Sequence, residues 1–271
     1  MIECREITSM SDLQDIQHIE YAVWNMQPIP THQTLTAIKN GGIMLGLYDK
    51  DRLIGFSYGF AGFRDGKSYL CSHMLGIDPA YRSQGLGEKL KMKQREVALR
   101  KGYKEIHWTF DPLETRNGYL NLSKLNGICH TYMENCYGEM EDKINKGLPS
   151  DRFEVHWHID SPYVEEKQQP STEHAVALNT YKLNAKGYPV FQDLKKEALT
   201  ADVYALLVPK DFQVLKANDN ALALDWRYQT RLQFQRLFQA GYTAVRIRSE
   251  EIMSTYYFIK KDTLELGGYE K

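Results

Sequence analysis

The spacing of apolar positions along the chain changes several times, and each change marks an element. In SDLQDIQHIEYAVW (11–24), Leu13, Ile16, Ile19 and Val23 recur at helical intervals behind a Ser-Asp start, which predicts an amphipathic helix. Pro28 and Pro30 close it, and THQTLTAIKNGG predicts a shorter helix ended by Gly41-Gly42. IMLGLYD and RLIGFSYGFAGF read as two strands around the Asp49-Lys50-Asp51 turn, and KSYLCSHMLGI as a third after Asp65-Gly66. A three-stranded antiparallel meander follows. Next come a helix opening near Gly85, with Leu86, Leu90 and Val97 on one stripe, then EIHWTFDP as a strand and LETRNGYLNLSKLN as a helix. Beyond GEMEDKINKGLPSD, charged and broken by Gly147 and Pro149, the pattern restarts with the strand RFEVHWHID. SPYVEEKQQPSTEH is expected as a loop. Short strands in VALNTY, PVFQDL and DVYALLVP, a long helix through ALALDWRYQTRLQFQRLFQAGY, and strands TAVRIR and TYYFIKK complete the chain. The expected class is mixed α/β (α+β) in two domains, 1–148 and a smaller α+β extension, 149–271.

Composition narrows the partners. With 271 residues, 42% of them hydrophobic, the chain can bury a sizeable core. Lys plus Arg number 34 against 35 for Asp plus Glu, so no general field pulls nucleic acid or an anionic membrane, and any anion site must be local. The start MIECREITSM has no charged-then-apolar leader and no stretch reaches the ~18 apolar residues of a membrane span, so a cytoplasmic location is expected. Cys4, Cys71, Cys129 and Cys136 lack CxxC spacing and read as reduced thiols, with no metal expected.

The stretch HMLGIDPAYRSQGLGEKL is where a local anion site can form. An apolar strand ends at Pro79, and Gly85 and Gly87 remove side chains where the backbone enters a helix. Unpaired first-turn amides, with the positive end of the helix dipole behind them, suit a diphosphate. A strand-to-helix turn that binds nothing is the competing reading. No GxxxxGK[ST] string occurs, and the dinucleotide fingerprint GxGxxG is incomplete, since only Gly85-Leu86-Gly87 is present.

Arg82-Ser83-Gln84-Gly85-Leu86-Gly87, directly after a Pro-bounded strand that follows two helices and a hairpin, resembles the acyl-CoA motif of the GNAT superfamily of N-acyltransferases. SHMLGIDP, HWTFDPLETRNGYLNLSKLNG, TYMENCYG, LPSDR and WRYQTR are together similar to a branch of that superfamily of about this length, which includes proteins associated with N-succinylation of amino acids. The resemblance implies a splayed, mostly antiparallel central sheet. It implies acetyl-CoA or another acyl-CoA as cosubstrate, held by Arg82–Gly87 at its pyrophosphate. Leu75, Gly76 and Ile77 would offer backbone groups to the pantetheine arm, and Asn117 or Asn121 a side chain. Lys124 stands near the place of the family's usual helix tyrosine. Lys89, Lys91, Lys93 and Arg95 read mostly as a solvated helix face.

Three sets of residues bear on chemistry. An ammonium cannot attack a thioester, so a base is needed near neutral pH, and His73 is the candidate, weighed against a histidine satisfied within the sheet. Strict alternation would put it on the same face as Leu75 and Ile77. Tyr132 and Tyr137 are candidate acids for the leaving thiolate, weighed against aromatic packing. Arg227 and Arg231, four apart on one helix, can reach one carboxylate on an amino-acid acceptor or a succinyl tail, weighed against pairing with local acids. Asp151 and Arg152 are expected to form a salt bridge at the domain junction. Three readings follow: an acetyl (or succinyl) transferase acting on a small-molecule primary amine, an amino-acid N-succinyltransferase, or a non-catalytic acyl-CoA-binding module. A homodimer is compatible with each.

Overall fold

The computed structural model describes residues 2–25, 27–140, 146–194 and 198–267. The fold is mixed α/β, with mostly antiparallel strand pairs. It divides into two compact units, one running to Trp108 and including His158–Asp160, the other comprising Thr109–Trp157 and the residues from Ser161 on. The break thus precedes the charged segment near residue 148. The strands over 128–133 and 152–157 fall in the second unit because they pair there.

In the first unit, β1 (Ile2–Glu6), β2 (Ile43–Asp49), β3 (Arg52–Arg64) and β4 (Lys67–Ile77) pair antiparallel in that order. The meander appears where the alternation placed it; β1 is an added edge strand. β5 (Glu105–Phe110) lies parallel to β4, with pairs at Leu70↔Ile106 and Cys71↔His107, and β4 runs on to Ile77 beyond them. α1 (Met10–Trp24) starts at Ser9, whose hydroxyl accepts the Asp12 amide. Together with α2 (Thr31–Lys39) it covers one sheet face: Leu13, Ile16 and Ile19 pack with Ile7, Met44, Tyr48, Phe56 and Tyr58. α3 (Leu86–Arg100) covers the other through Leu86, Leu90, Val97 and Ala98.

In the second unit, α4 (Thr115–Gly118) runs into a wider turn of helix over Tyr119–Lys124. β6 (Ile128–Met133) pairs with β7 (Arg152–His158) and, at Cys129↔Ala244, with β12 (Tyr242–Ser249). β12 continues to β13 (Met253–Lys260), then β11 (Val203–Pro209), then the parallel two-residue β8 (Val176–Ala177). β9 (Asn179–Leu183) and β10 (Pro189–Asp193) form a separate hairpin. One turn of helix, α5 (Pro162–Glu165), interrupts the expected loop, and α6 (Phe212–Asn218) precedes the long α7 (Asn220–Gln239). The core is aromatic: Phe153, Phe234, Tyr256 and Phe258 meet edge-on or tilted, and Trp226 donates its indole N–H to the Pro189 carbonyl at 2.7 Å. Cys4, Cys71, Cys129 and Cys136 form no disulfide. Among the described residues no helix is long and apolar enough to cross a membrane.

Candidate active site

The Arg82–Gly87 loop is built by the strand that precedes it. Asp78 accepts the Ala80 amide at 2.9 Å and pairs with Arg52 at 2.8 Å, fixing one turn of 3-10 helix at Pro79–Tyr81. Arg82 folds its Nε back to the Ile77 carbonyl. The backbone then takes two left-handed steps, Ser83 (φ +63°) and Gly85 (φ +73°), before α3 begins. No side chain caps α3. Its first-turn amides, those of Leu86 and Gly87 among them, have no acceptor within the helix, while Lys89 N–H reaches the Gly85 carbonyl. A Cβ on Gly85 would meet no atom within 4 Å, so the space over the loop is open, and Arg82 to Gly85 are all exposed. Such a cradle of backbone donors fits a pyrophosphate.

The lysine run behaves less uniformly than a solvated face. Lys89 donates to the Ile2 carbonyl, Lys93 pairs with Glu96 at 2.7 Å, and Arg95 donates to the Ile159 carbonyl. Lys91 is buried, because it shares the inward stripe with Leu90 and Gln94.

On β4 the registered pairs with β3 run Tyr58↔Met74 and Gly59↔Ser72, leaving His73 as the extra residue of a bulge. The bulge overturns the expected alternation. Ser72 hydrogen-bonds Gln94 of α3, whereas His73 lies against Tyr58 and Phe60, on the α1/α2 face. A Cβ on Gly76 would sit 2.8 Å from Phe56 and 3.1 Å from Trp24, so Gly76 belongs to that same face. Ile77 approaches Gly55 on the opposite one. His73 therefore shares its face with Met74 and Gly76, not with Leu75 and Ile77. Leu75, Gly76 and Ile77 each pair with β3, at Ser57, Phe56 and Gly55.

His73 closes one side of a pocket of about 330 Å³ whose other walls are Ile29, Gln33, Ala37, Asn40, Tyr58, Phe60 and Ala61. None of these side chains carries a full charge at neutral pH. Desolvation by the aromatic walls holds the imidazole below its ordinary pKa of 6.5, which favours the neutral form at pH 7. His73 is nonetheless exposed to solvent on the side away from these rings. The pocket residues other than His73 were not legible in the sequence: α2, the residues flanking it and β3 supply them from distant positions, and no motif marks them.

The remaining candidates lie in the second unit. Asn117 is exposed on α4, and Asn121 is buried in the wider turn that follows. Tyr137 is exposed, with its hydroxyl 2.8 Å from Thr109 Oγ1. Tyr132 is engaged within the fold. Its hydroxyl donates to Asp151 at 2.5 Å, its ring packs on Phe153 and Phe234, and burial followed by the Asp151 charge drives its pKa up, so its proton is committed to a structural bond.

Both arginines are paired with acids of the fold. Arg227, 1% exposed, donates two hydrogen bonds to Asp111, at 2.9 and 2.5 Å. Arg231 grips Asp151 through Nε and Nη2, each at 2.8 Å, and reaches Glu134 at 3.0 Å. Each guanidinium is thus already paired with a carboxylate of this chain. Asp151 pairs with Arg231, while Arg152 lies 3.9 Å from Asp111, so the expected Asp151–Arg152 bridge is replaced by two others.

Residues 10–117 match the model of the acetyltransferase (GNAT) family. Solved structures with a similar fold include the ribosomal-protein-S18-alanine N-acetyltransferase from Escherichia coli, at 16% identity over 59% of this chain and 94% of that one, TM-score 0.47. An N-acetyltransferase from Staphylococcus aureus Mu50 aligns at 17% identity over 59% and 99%, TM-score 0.47. Arabidopsis thaliana NAA60, in complex with a bisubstrate analogue, aligns at 13% over 58% and 97%, TM-score 0.45. Among curated proteins none matches the sequence. With the Arg82–Gly87 loop, the β4 bulge and α3 all inside the matched segment, the chain carries a GNAT acetyltransferase domain across residues 10–117.

Proposed function

We propose that the protein transfers an acetyl group from acetyl-CoA to a small primary amine, with His73 as the general base. The observation that carries the reading is His73 itself: a bulged histidine, biased to its neutral form, in the wall of an uncharged pocket. When bound, acetyl-CoA supplies the activated acyl carbon and a thiolate leaving group. Amides at the start of α3 would hold its pyrophosphate, and Arg82 stands beside them. Backbone groups of Leu75–Ile77, on the part of β4 that extends beyond its registered pairs with β5, are suited to the pantetheine amides. His73 accepts the proton that the attacking nitrogen must lose, directly or through one water, while the new amide bond forms and the thioester bond breaks.

The pocket also speaks to the acceptor. Tyr58, Phe60, Ile29, Ala37 and Ala61 give it an apolar lining, and Gln33 and Asn40 provide neutral polar groups. Nothing in that lining pairs with a carboxylate. An amine on an uncharged or aromatic body fits better than an amino acid, and the arginine pair that supported a succinyl group or an amino-acid acceptor is engaged elsewhere. The test is thiol release from acetyl-CoA and from succinyl-CoA across a panel of amines and amino acids. The reading expects turnover with acetyl-CoA and uncharged-body amines. Saturable binding of acetyl-CoA with no thiol release from any amine would instead favour the non-catalytic module.

A further inference from the structure

Lys91 lies in the second turn of α3 and is 4% exposed. Its amine donates to Ser72 Oγ at 2.8 Å, lies 3.5 Å from Gln94 Oε1 and sits 3.4 Å from the centre of the Trp108 ring. Ser72 donates to Gln94 Oε1 at 2.8 Å, and Gln94 Nε2 donates to Ser57 Oγ at 2.9 Å. Four buried polar side chains from α3, β4 and β3 thus form one connected network, and none of the four is a carboxylate. Burying a lysine in such company is costly, and desolvation accordingly pulls its pKa well below 10.5. An apolar residue would fill this place on the stripe of Leu86, Leu90 and Val97 at less cost.

The ends of the network fall at the site. Ser72 directly precedes the bulged His73, and Ser57 is registered opposite Leu75. Gln94 and Lys91 stand on the helix that the Arg82–Gly87 loop leads into. A bulge has no partner residue across the ladder to hold it, so its side chain is aimed by whatever fixes the flanking residues. We propose that Lys91, through Ser72 and Gln94, is a positioning residue that holds the His73 bulge in place. The proposal rests on the reading of His73 as the base.

Lys91→Met, Ser72→Ala and the double variant test it, because methionine replaces the lysine stem without leaving a buried charge and the fold is kept. Acetyl-CoA affinity by calorimetry and its KM are expected to stay within about twofold, while kcat with the best amine falls roughly 10- to 100-fold, the size of a small misplacement of a catalytic group. The double variant should be no worse than the poorer single one, since the residues act as one unit. The His73 ring resonances, followed by NMR in the free protein, should shift in both single variants. A kcat within twofold of the parent, or a fall in kcat with the ring resonances unmoved, would overturn the relay. Should the parent turn over no amine, the base reading is what has failed; ring resonances that move in both variants would still support the relay, and unmoved ones would still overturn it.

Discussion

Asp111→Asn is the sharpest probe of the pairing that holds Arg227. The asparagine keeps the oxygen that accepts the Leu113 amide at 2.8 Å but removes the charge that both terminal nitrogens of Arg227 engage. Arg227 is 1% exposed and its Nε–H has no partner, so the guanidinium would be left as an uncompensated buried cation. Breaking such a pair costs about 3–5 kcal/mol. A Coulomb estimate at ~4 Å and an effective dielectric of ~20 gives about 4 kcal/mol, in the same range. At about 2–4 °C per kcal/mol for a domain of this size, the melting temperature should fall by roughly 6–20 °C. Urea denaturation followed by tryptophan fluorescence reads the loss, with Trp226 as the immediate neighbour in sequence. Adding Arg227→Met should recover most of it, because the buried cation bonded directly to Asp111 is then gone. If Asp111→Asn costs less than about 1 kcal/mol, or the double variant is no more stable than the single, the pair does not hold the helix and Arg227 is available to a ligand after all.

Gly85→Val should leave the fold intact at a cost of about 1–2 kcal/mol for a left-handed β-branched residue, since its Cβ meets no neighbour. It should weaken acetyl-CoA binding at least about tenfold by calorimetry, a loss of ~1.4 kcal/mol. Arg231→Ala should leave the acceptor KM unchanged while lowering stability in urea, because Asp151 loses two of its hydrogen bonds and keeps those from Tyr132 and the Asn135 amide. Tyr132→Phe should keep kcat within about twofold in a thiol-release assay, as expected for a hydroxyl that serves Asp151 rather than the leaving group.

What the sequence revealed and what it hid divide along physical lines. Local signals were reliable: the Ser11-Asp12 start and the spacing of Leu13, Ile16 and Ile19 placed α1, whose cap is Ser9, and the pair Gly85, Gly87 after Pro79 placed the start of α3. β1 escaped because IECRE is a mostly exposed edge strand with little apolar alternation to detect. β6 escaped because ICHTYM mixes polar residues into a half-buried strand. The His73 bulge inserts one residue without any compositional mark, and that single step reversed the face assigned to the histidine. Lys91 was detectable, since it neighbours Leu90 on the helical stripe, but it was masked by three charged residues at alternate positions. The partners of Arg227 and Arg231 lie 116 and 80 residues away, at Asp111 and Asp151. Helical spacing fixes which side chains can act together; it says nothing of which distant acid reaches them first.

The central claim is that a neutral His73 takes the proton from the attacking amine, and the pH dependence of kcat/KM tests it directly. An amine that stays unprotonated across the range scanned removes the substrate's own titration. Burial lowers the His73 pKa below 6.5, so the free base persists as pH falls through that value. The account predicts a plateau from neutral pH down through 6.5, an acid limb below it, and loss of both activity and limb in His73→Ala with acetyl-CoA binding preserved. An acid limb centred above 6.5, or the same profile and rate in His73→Ala, would contradict it.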